Sequence, residues 1–176
     1  MKAPTTDIPL APEHDPVADN KIRKLVHVIY RLAYLAHLGV NFLFRPKTRG
    51  AYVAVWLDKK LLLIRNSYKP GYTLPCGGIE KSESPIEAAQ RELNEEVGLN
   101  LPVSKLKLAA KKIVYSEFKQ DHIYLYETHL KRQPHLKLEG YEVVWSKFVR
   151  PQDALKLPLS PAIRDYLAEH ANATAG

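Results

Sequence analysis

Between residues 21 and 38, apolar side chains recur at helical spacing. Leu25, Val26, Val28, Ile29, Leu32, Leu35 and Leu38 stand among Lys21, Arg23, Lys24 and Arg31. The pattern predicts an amphipathic N-terminal helix within residues 20–44. His27 and Arg31 interrupt it, so no run approaches the roughly 18 to 20 apolar residues that a bilayer span requires. After the turn-like RPKTRG, the β-rich runs AYVAVWL and KKLLLIRN are split by Asp58 and lysines; they predict a hairpin beginning near Ala51. Farther along, KLKLAAKKIVY, HIYLYETHL and EVVWSKFV predict three more strands, followed by helices near residues 151–155 and 160–170. The order α-ββ-α-βββ-αα lacks strict β-α alternation. It therefore points to an α/β sandwich with a mixed sheet rather than a doubly wound parallel one.

Proline placement and polarity divide the chain further. Residues 1–19 hold four prolines and little apolar surface, which predicts a flexible leader. Residues 171–176 are expected to be a disordered tail, leaving one domain over residues 45–170. The single cysteine, Cys76, excludes an internal disulfide framework and any multi-cysteine zinc site. That usage fits a reducing compartment, and the acids and prolines at the N-terminus do not form an export signal, so a cytoplasmic location is expected. A net charge of +7 favours anionic partners. The cations are dispersed and no zinc-finger, RNA-recognition or helix-turn-helix pattern accompanies them, so nucleic acid is not the expected main ligand. The N-terminal helix has to lie on something: its own domain, a second copy in a homodimer, or a membrane surface as a peripheral contact.

The most informative stretch is GGIEKSESPIEAAQRELNEEVGL, residues 77–99. Ser84 and Glu87 form a capping box, Pro85 sits at the first helical position, and Gly98 supplies a left-handed residue past the end. Both helix boundaries are thereby set. Ile86, Ala89, Leu93 and Val97 share one stripe for the core, and Glu92, Glu95 and Glu96 share the next. Like charges at i, i+3 and i+4 destabilise a helix by about 0.2–0.5 kcal/mol per pair. A hard divalent cation such as Mg2+ would offset that repulsion, since it takes carboxylate oxygens and completes its shell with water and phosphate. A solvated acidic face is the other reading of an isolated ExxEE.

The wider spacing discriminates between these readings. From Gly77 the segment runs G-x5-E-x7-R-E-U-x-E-E-x-G-U, with Gly77, Glu83, Arg91, Glu92, Leu93, Glu95, Glu96, Gly98 and Leu99 at the specified positions and U a bulky aliphatic. This resembles the Nudix box without a mismatch. The resemblance implies a Nudix-type α/β/α sandwich, plus the N-terminal helix, acting as a Mg2+- or Mn2+-dependent hydrolase on a phosphoanhydride bond. It implies Glu92, Glu95 and Glu96 as metal ligands, with the Gly77 carbonyl contributing. Glu83, Arg91 and Gly98 would support the box, Arg91 standing four residues from both Glu87 and Glu95. Metal-activated water would attack phosphorus with a carboxylate assisting proton removal. Family members differ over whether that carboxylate is a box acid, such as Glu92 or Glu95, or one in a later loop. Glu139 resembles the loop acid, with Glu142 as the alternative. Cys76 stands where the family often has glycine; no adjacent base marks it as a nucleophile.

Substrate identity is less legible. The resemblance implies a nucleoside diphosphate linked to another moiety, with dinucleoside polyphosphates and ADP-ribose-like molecules as candidates. A nucleotide-sensing domain that binds without cleaving is the rival, against which the chain keeps all the box carboxylates. The loop RNSYKPGYTLP offers Arg65, Tyr68, Lys69 and Tyr72 as substrate contacts, cations for phosphate and rings for a base. Tyr115, sixteen residues after Leu99, resembles a tyrosine of diadenosine polyphosphate hydrolases, although one aromatic in a strand more often serves packing than recognition.

Overall fold

The computed structural model describes residues 21–138 and 140–173. The leader expected over residues 1–19 and Glu139 lie outside that range. Five long strands form a mixed sheet in the order β4-β5-β1-β2-β6: β1 (Lys47–Leu57), β2 (Lys60–Asn66), β4 (Lys107–Ser116), β5 (Lys119–Leu130) and β6 (Val143–Val149). A short β3 (Cys76–Gly78) pairs with β1 off this path. Among the described strands only β1 and β5 run parallel, in register from Lys47↔Gln120 to Leu57↔Leu130; the other strand pairs are antiparallel.

The central strands are covered on both faces, which explains why β1 and β2 read as nearly unbroken apolar runs. On one face Val53, Val55, Leu62 and Ile64 pack against Ala89, Leu93 and Val97 of α2 (Pro85–Val97). On the other, Ala54, Trp56, Leu61 and Leu63 meet Ala154 of α3 (Pro151–Ala154) and Ile163, Tyr166 and Leu167 of α4 (Pro161–Ala173). This is the expected sandwich. The two tight hairpins each use a pair of non-glycine residues at positive φ, Asp58 with Lys59 and Glu117 with Phe118, the twist that two-residue hairpin turns favour.

Three expectations shift at their edges. RPKTRG is not a turn: from Lys47 onward it opens β1, held by the parallel ladder with β5. Gly77 and Gly78 lie in β3 rather than in a free loop. Helix α4 continues to Ala173, into the segment expected as a tail.

Helix α1 (Lys21–Phe44) extends beyond the densest part of its pattern. It rests on loops rather than on the sheet. His27 Nε2 lies 3.0 Å from the Gly140 carbonyl oxygen, Tyr30 stacks on Tyr68 at 5.8 Å, and Phe42 meets Phe118 edge-on at 5.2 Å. Asn41 is its one fully buried residue among those described.

Candidate active site

The site begins with the fit between β3 and α2. Pairing of Gly50, Ala51 and Tyr52 with Gly78, Gly77 and Cys76 fixes the glycine segment beside the helix. The helix starts where the sequence says it should. Glu87 accepts from the Ser84 N–H at 2.8 Å and from the Ser84 hydroxyl at 2.6 Å. It ends at Gly98, with φ of 68° and its N–H donating to the Asn94 carbonyl. A methyl group at Gly98 would also come within 2.9 Å of Lys137 Cβ.

Gly77 leaves the space that the Glu92 carboxylate occupies. A Cβ built there would sit 2.0 Å from Glu92 Oε1, well inside any tolerated contact. The missing side chain lets a carboxylate come up against the strand backbone. One turn on, Glu96 is only 6% exposed and accepts from the Cys76 N–H at 2.8 Å. Burial pushes the Glu96 carboxyl well above the usual carboxylate range, and the charges of Glu92 and Glu142 push the same way. Burial raises Glu92 too, with Arg91 opposing and Glu95 and Glu142 adding to the rise. Glu95 is more open to solvent.

Arg91 cross-braces these acids. Its Nε and Nη2 donate to the two Glu83 oxygens at 3.1 and 2.7 Å. Its Nη1 donates to Glu92 at 2.7 Å and Glu95 at 3.0 Å, and Nη2 also reaches the Gly78 carbonyl at 3.0 Å. Hydrogen bonds from Arg91 hold the Glu83 carboxyl below its ordinary range. The expected Arg91–Glu87 relation is therefore corrected: Glu87 is occupied by the helix cap, and Glu83 takes its place as Arg91's partner. No stripe analysis of α2 could find this, because Glu83 precedes the helix.

Glu142 arrives from the loop before β6. It accepts from the Tyr68 hydroxyl at 2.7 Å, and Asn66 Nδ2 lies 3.5 Å from it. Burial, then Glu142, pushes the Tyr68 phenol up, so it remains a donor. Of the two loop acids considered from sequence, Glu142 is the one described beside the cluster. Burial and the charge of Glu96 also push the Cys76 thiol up, so a reactive thiolate does not form.

A cleft of about 1090 Å³ reaches the cluster at Cys76, Gly77 and Gly78. Lys47, Arg49, Lys69, Lys81 and Lys119 stand in its walls, together with Tyr34 and His37 of α1. Tyr68, Lys69 and Tyr72 belong to the wall as expected from the loop, but their side chains are engaged. Tyr68 is stacked by Tyr30, Lys69 pairs with Glu117, and Tyr72 packs edge-on against Trp145 at 5.0 Å. Arg65 is not a lining residue: strand alternation sets it on the face of Leu61 and Leu63, opposite Asn66. Tyr115 is 76% exposed and likewise outside the cleft. Sequence reasoning missed Asn66, Lys47, Arg49 and Lys119, which only non-local strand pairing brings together.

Among the described residues, no three His, Cys, Asp or Glu side chains already converge on one point. Arg91 holds oxygens of Glu92 and Glu95, and the Cys76 N–H holds one of Glu96. The donor chemistry nevertheless fits a hard divalent cation: carboxylate oxygens on one helix, two of them desolvated and mutually repelling, against a strand with no side chain at Gly77.

The NUDIX domain model matches residues 46–170. An RNA pyrophosphohydrolase of Halorhodospira halophila is 45% identical over 56 residues, 32% of this chain and 30% of that protein. The chain matches only 28% to 39% of the length of such curated relatives. A C. elegans Ap4A hydrolase superposes with a TM-score of 0.62 at 20% identity, covering 73% of this chain and 98% of that one. The NUDIX domain of Shewanella oneidensis NrtR, solved with ADP ribose, gives a TM-score of 0.60 at 19% identity, covering 80% and 98%.

Proposed function

Because this chain belongs to the NUDIX domain family, whose model spans residues 46–170, we propose that it hydrolyses a phosphoanhydride bond in a nucleoside diphosphate linked to another moiety. The observation that carries this reading is the desolvated Glu92–Glu96 pair held against Gly77 and braced by Arg91. Such a pair is costly in a protein that only needs to fold. Its retention, with Glu83 and Glu95, favours turnover over a domain that merely senses a nucleotide.

Glu92, Glu95 and Glu96, with the Gly77 carbonyl, would hold Mg2+ or Mn2+. When bound, that ion supplies charge neutralisation on the diphosphate and a lowered pKa for water. The chain's own residues do the rest. Arg91 fixes the rotamers of Glu92 and Glu95, so their oxygens are oriented before ligand arrives. The cleft cations, Lys47, Arg49 and Lys81 among them, offer phosphate contacts. Glu142, oriented by the Tyr68 hydroxyl, is the acid we assign to proton removal. Dinucleoside polyphosphates and ADP-ribose-like molecules are the first substrates to try, joined by RNA carrying a pyrophosphate bond, given the curated relative's name.

Product release from such a panel, with Mg2+ or Mn2+ and with chelator, tests the reading against Glu96→Gln. Metal-dependent turnover at least about 100-fold lower in the variant is expected, the scale of losing a positioned acid or base. Tight binding without turnover across the panel would favour the sensing domain. A parallel comparison separates the loop acids: Glu142→Gln should lower kcat and shift its pH profile, and a loss confined to Glu139→Gln would reassign the role.

A further inference from the structure

Helix α1 is turned the opposite way from an ordinary surface helix. Its polar and aromatic stripe faces the protein. Arg23 lies over the Tyr141 ring at 5.7 Å, His27 meets the Gly140 carbonyl, Tyr34 donates to Glu117 at 3.1 Å, and Asn41 is buried. At about 100° per residue these four positions fall within roughly 40° of one another. The opposite face carries Leu25, Val28, Ile29, Leu32, Leu35 and Leu43 over an arc of about 120°, each between 54% and 72% exposed. A continuous aliphatic face of this size marks a docking surface.

Charge says what covers it. No aspartate or glutamate occurs from Lys21 to Leu57, and Lys21, Arg31 and Arg45 are all exposed on or just beyond the helix. A second α1 laid against the first would bring these cations together with no helix acid to pair them. An anionic bilayer surface accepts both features, the aliphatic face among acyl chains and the cations at the headgroups. The helix is not long and apolar enough to cross, so it would lie in the plane.

We infer that α1 is a lipid-docking helix that seats the domain, aliphatic side down, on an anionic membrane. Tyr34 and His37 of the same helix line the cleft, so docking holds the cleft about one helix diameter, ~10 Å, from the lipid surface. The inference stands apart from the hydrolase reading, because vesicle binding and turnover are measured separately.

The test is co-sedimentation of the full chain with vesicles of phosphatidylcholine alone or with roughly a third phosphatidylglycerol. Binding at least about tenfold stronger to the anionic vesicles, weakening with added salt, is expected. Leu25→Glu together with Leu32→Glu should lower that binding at least about tenfold while melting temperature and hydrolysis stay unchanged. Should the charged pair lower the melting temperature, Leu25→Ser with Leu32→Ser supplies the same comparison. No binding to anionic vesicles, or binding indifferent to these variants, overturns the inference. So does a dimer in sedimentation equilibrium that the variants dissociate, since the face would then belong to a second copy.

Discussion

Helices α1 and α2 are both amphipathic, yet they relate to the domain in opposite senses. In α2 the aliphatic stripe of Ala89, Leu93 and Val97 enters the core and the acids are left at the rim, where Gly77 lets them close in. In α1 the histidine, asparagine and tyrosine side chains meet the domain while the leucines point away. A periodic pattern identifies a helix and its two faces; it does not say which face the protein uses.

The largest effect that would sharpen this contrast is at Glu96. Its folded-state pKa lies above the unfolded carboxylate value of about 4.3, so across that window the folded state holds more protons than the unfolded one. Stability of the metal-free protein should therefore fall as pH rises from about 4.3 through the raised value. At neutral pH Glu96→Gln should lower metal-dependent turnover at least about 100-fold yet raise the melting temperature in chelator. A variant that melts lower than wild type would show that the carboxylates of α2 are not mutually strained.

Next is a matched pair of truncations. Leu93→Ala removes a fully buried side chain and should destabilise by about 2–5 kcal/mol in denaturant titration. Leu32→Ala on α1, 61% exposed, should stay within about 0.5 kcal/mol. Equal costs would break the comparison, since they would mean that the outer face of α1 is packed within the monomer. Between these lies Gly98→Ala, which forces a methyl into left-handed backbone and against Lys137; a loss of about 1–3 kcal/mol is expected from thermal melts. The same change at Gly39, whose surroundings on α1 are open, should cost nothing and add helix propensity of roughly 0.5–1 kcal/mol.

What was legible in the sequence follows the same division. Helix α2 could be read from cap to cap, because Ser84, Glu87 and Gly98 act on neighbours a few residues away. The five long strands were legible from their runs. What escaped reading depends on partners distant in the chain. Lys47–Gly50 becomes strand through β5, Cys76–Gly78 becomes strand through β1, and Arg65 is turned from the cleft by strand alternation. At the candidate site, local spacing grouped Glu92, Glu95 and Glu96 and paired Arg91 with Glu95, but it also paired Arg91 with Glu87, which the helix cap occupies, and put Glu139 ahead of Glu142 as the loop acid. The link between Tyr68 and Glu142 crosses 74 positions, which no local pattern carries.

The single parallel ladder, between β1 and β5, also sets a timetable for making the protein. Thr48 pairs with Asp121, 73 positions downstream, so β1 has no β5 beside it until most of the domain has been synthesised. At about 5–20 residues per second on the ribosome, that interval is roughly 4–15 seconds. Throughout it β1, largely buried from residue 50 to residue 57 once folded, waits with one edge open, which makes the nascent chain, rather than the folded domain, the form most exposed to aggregation.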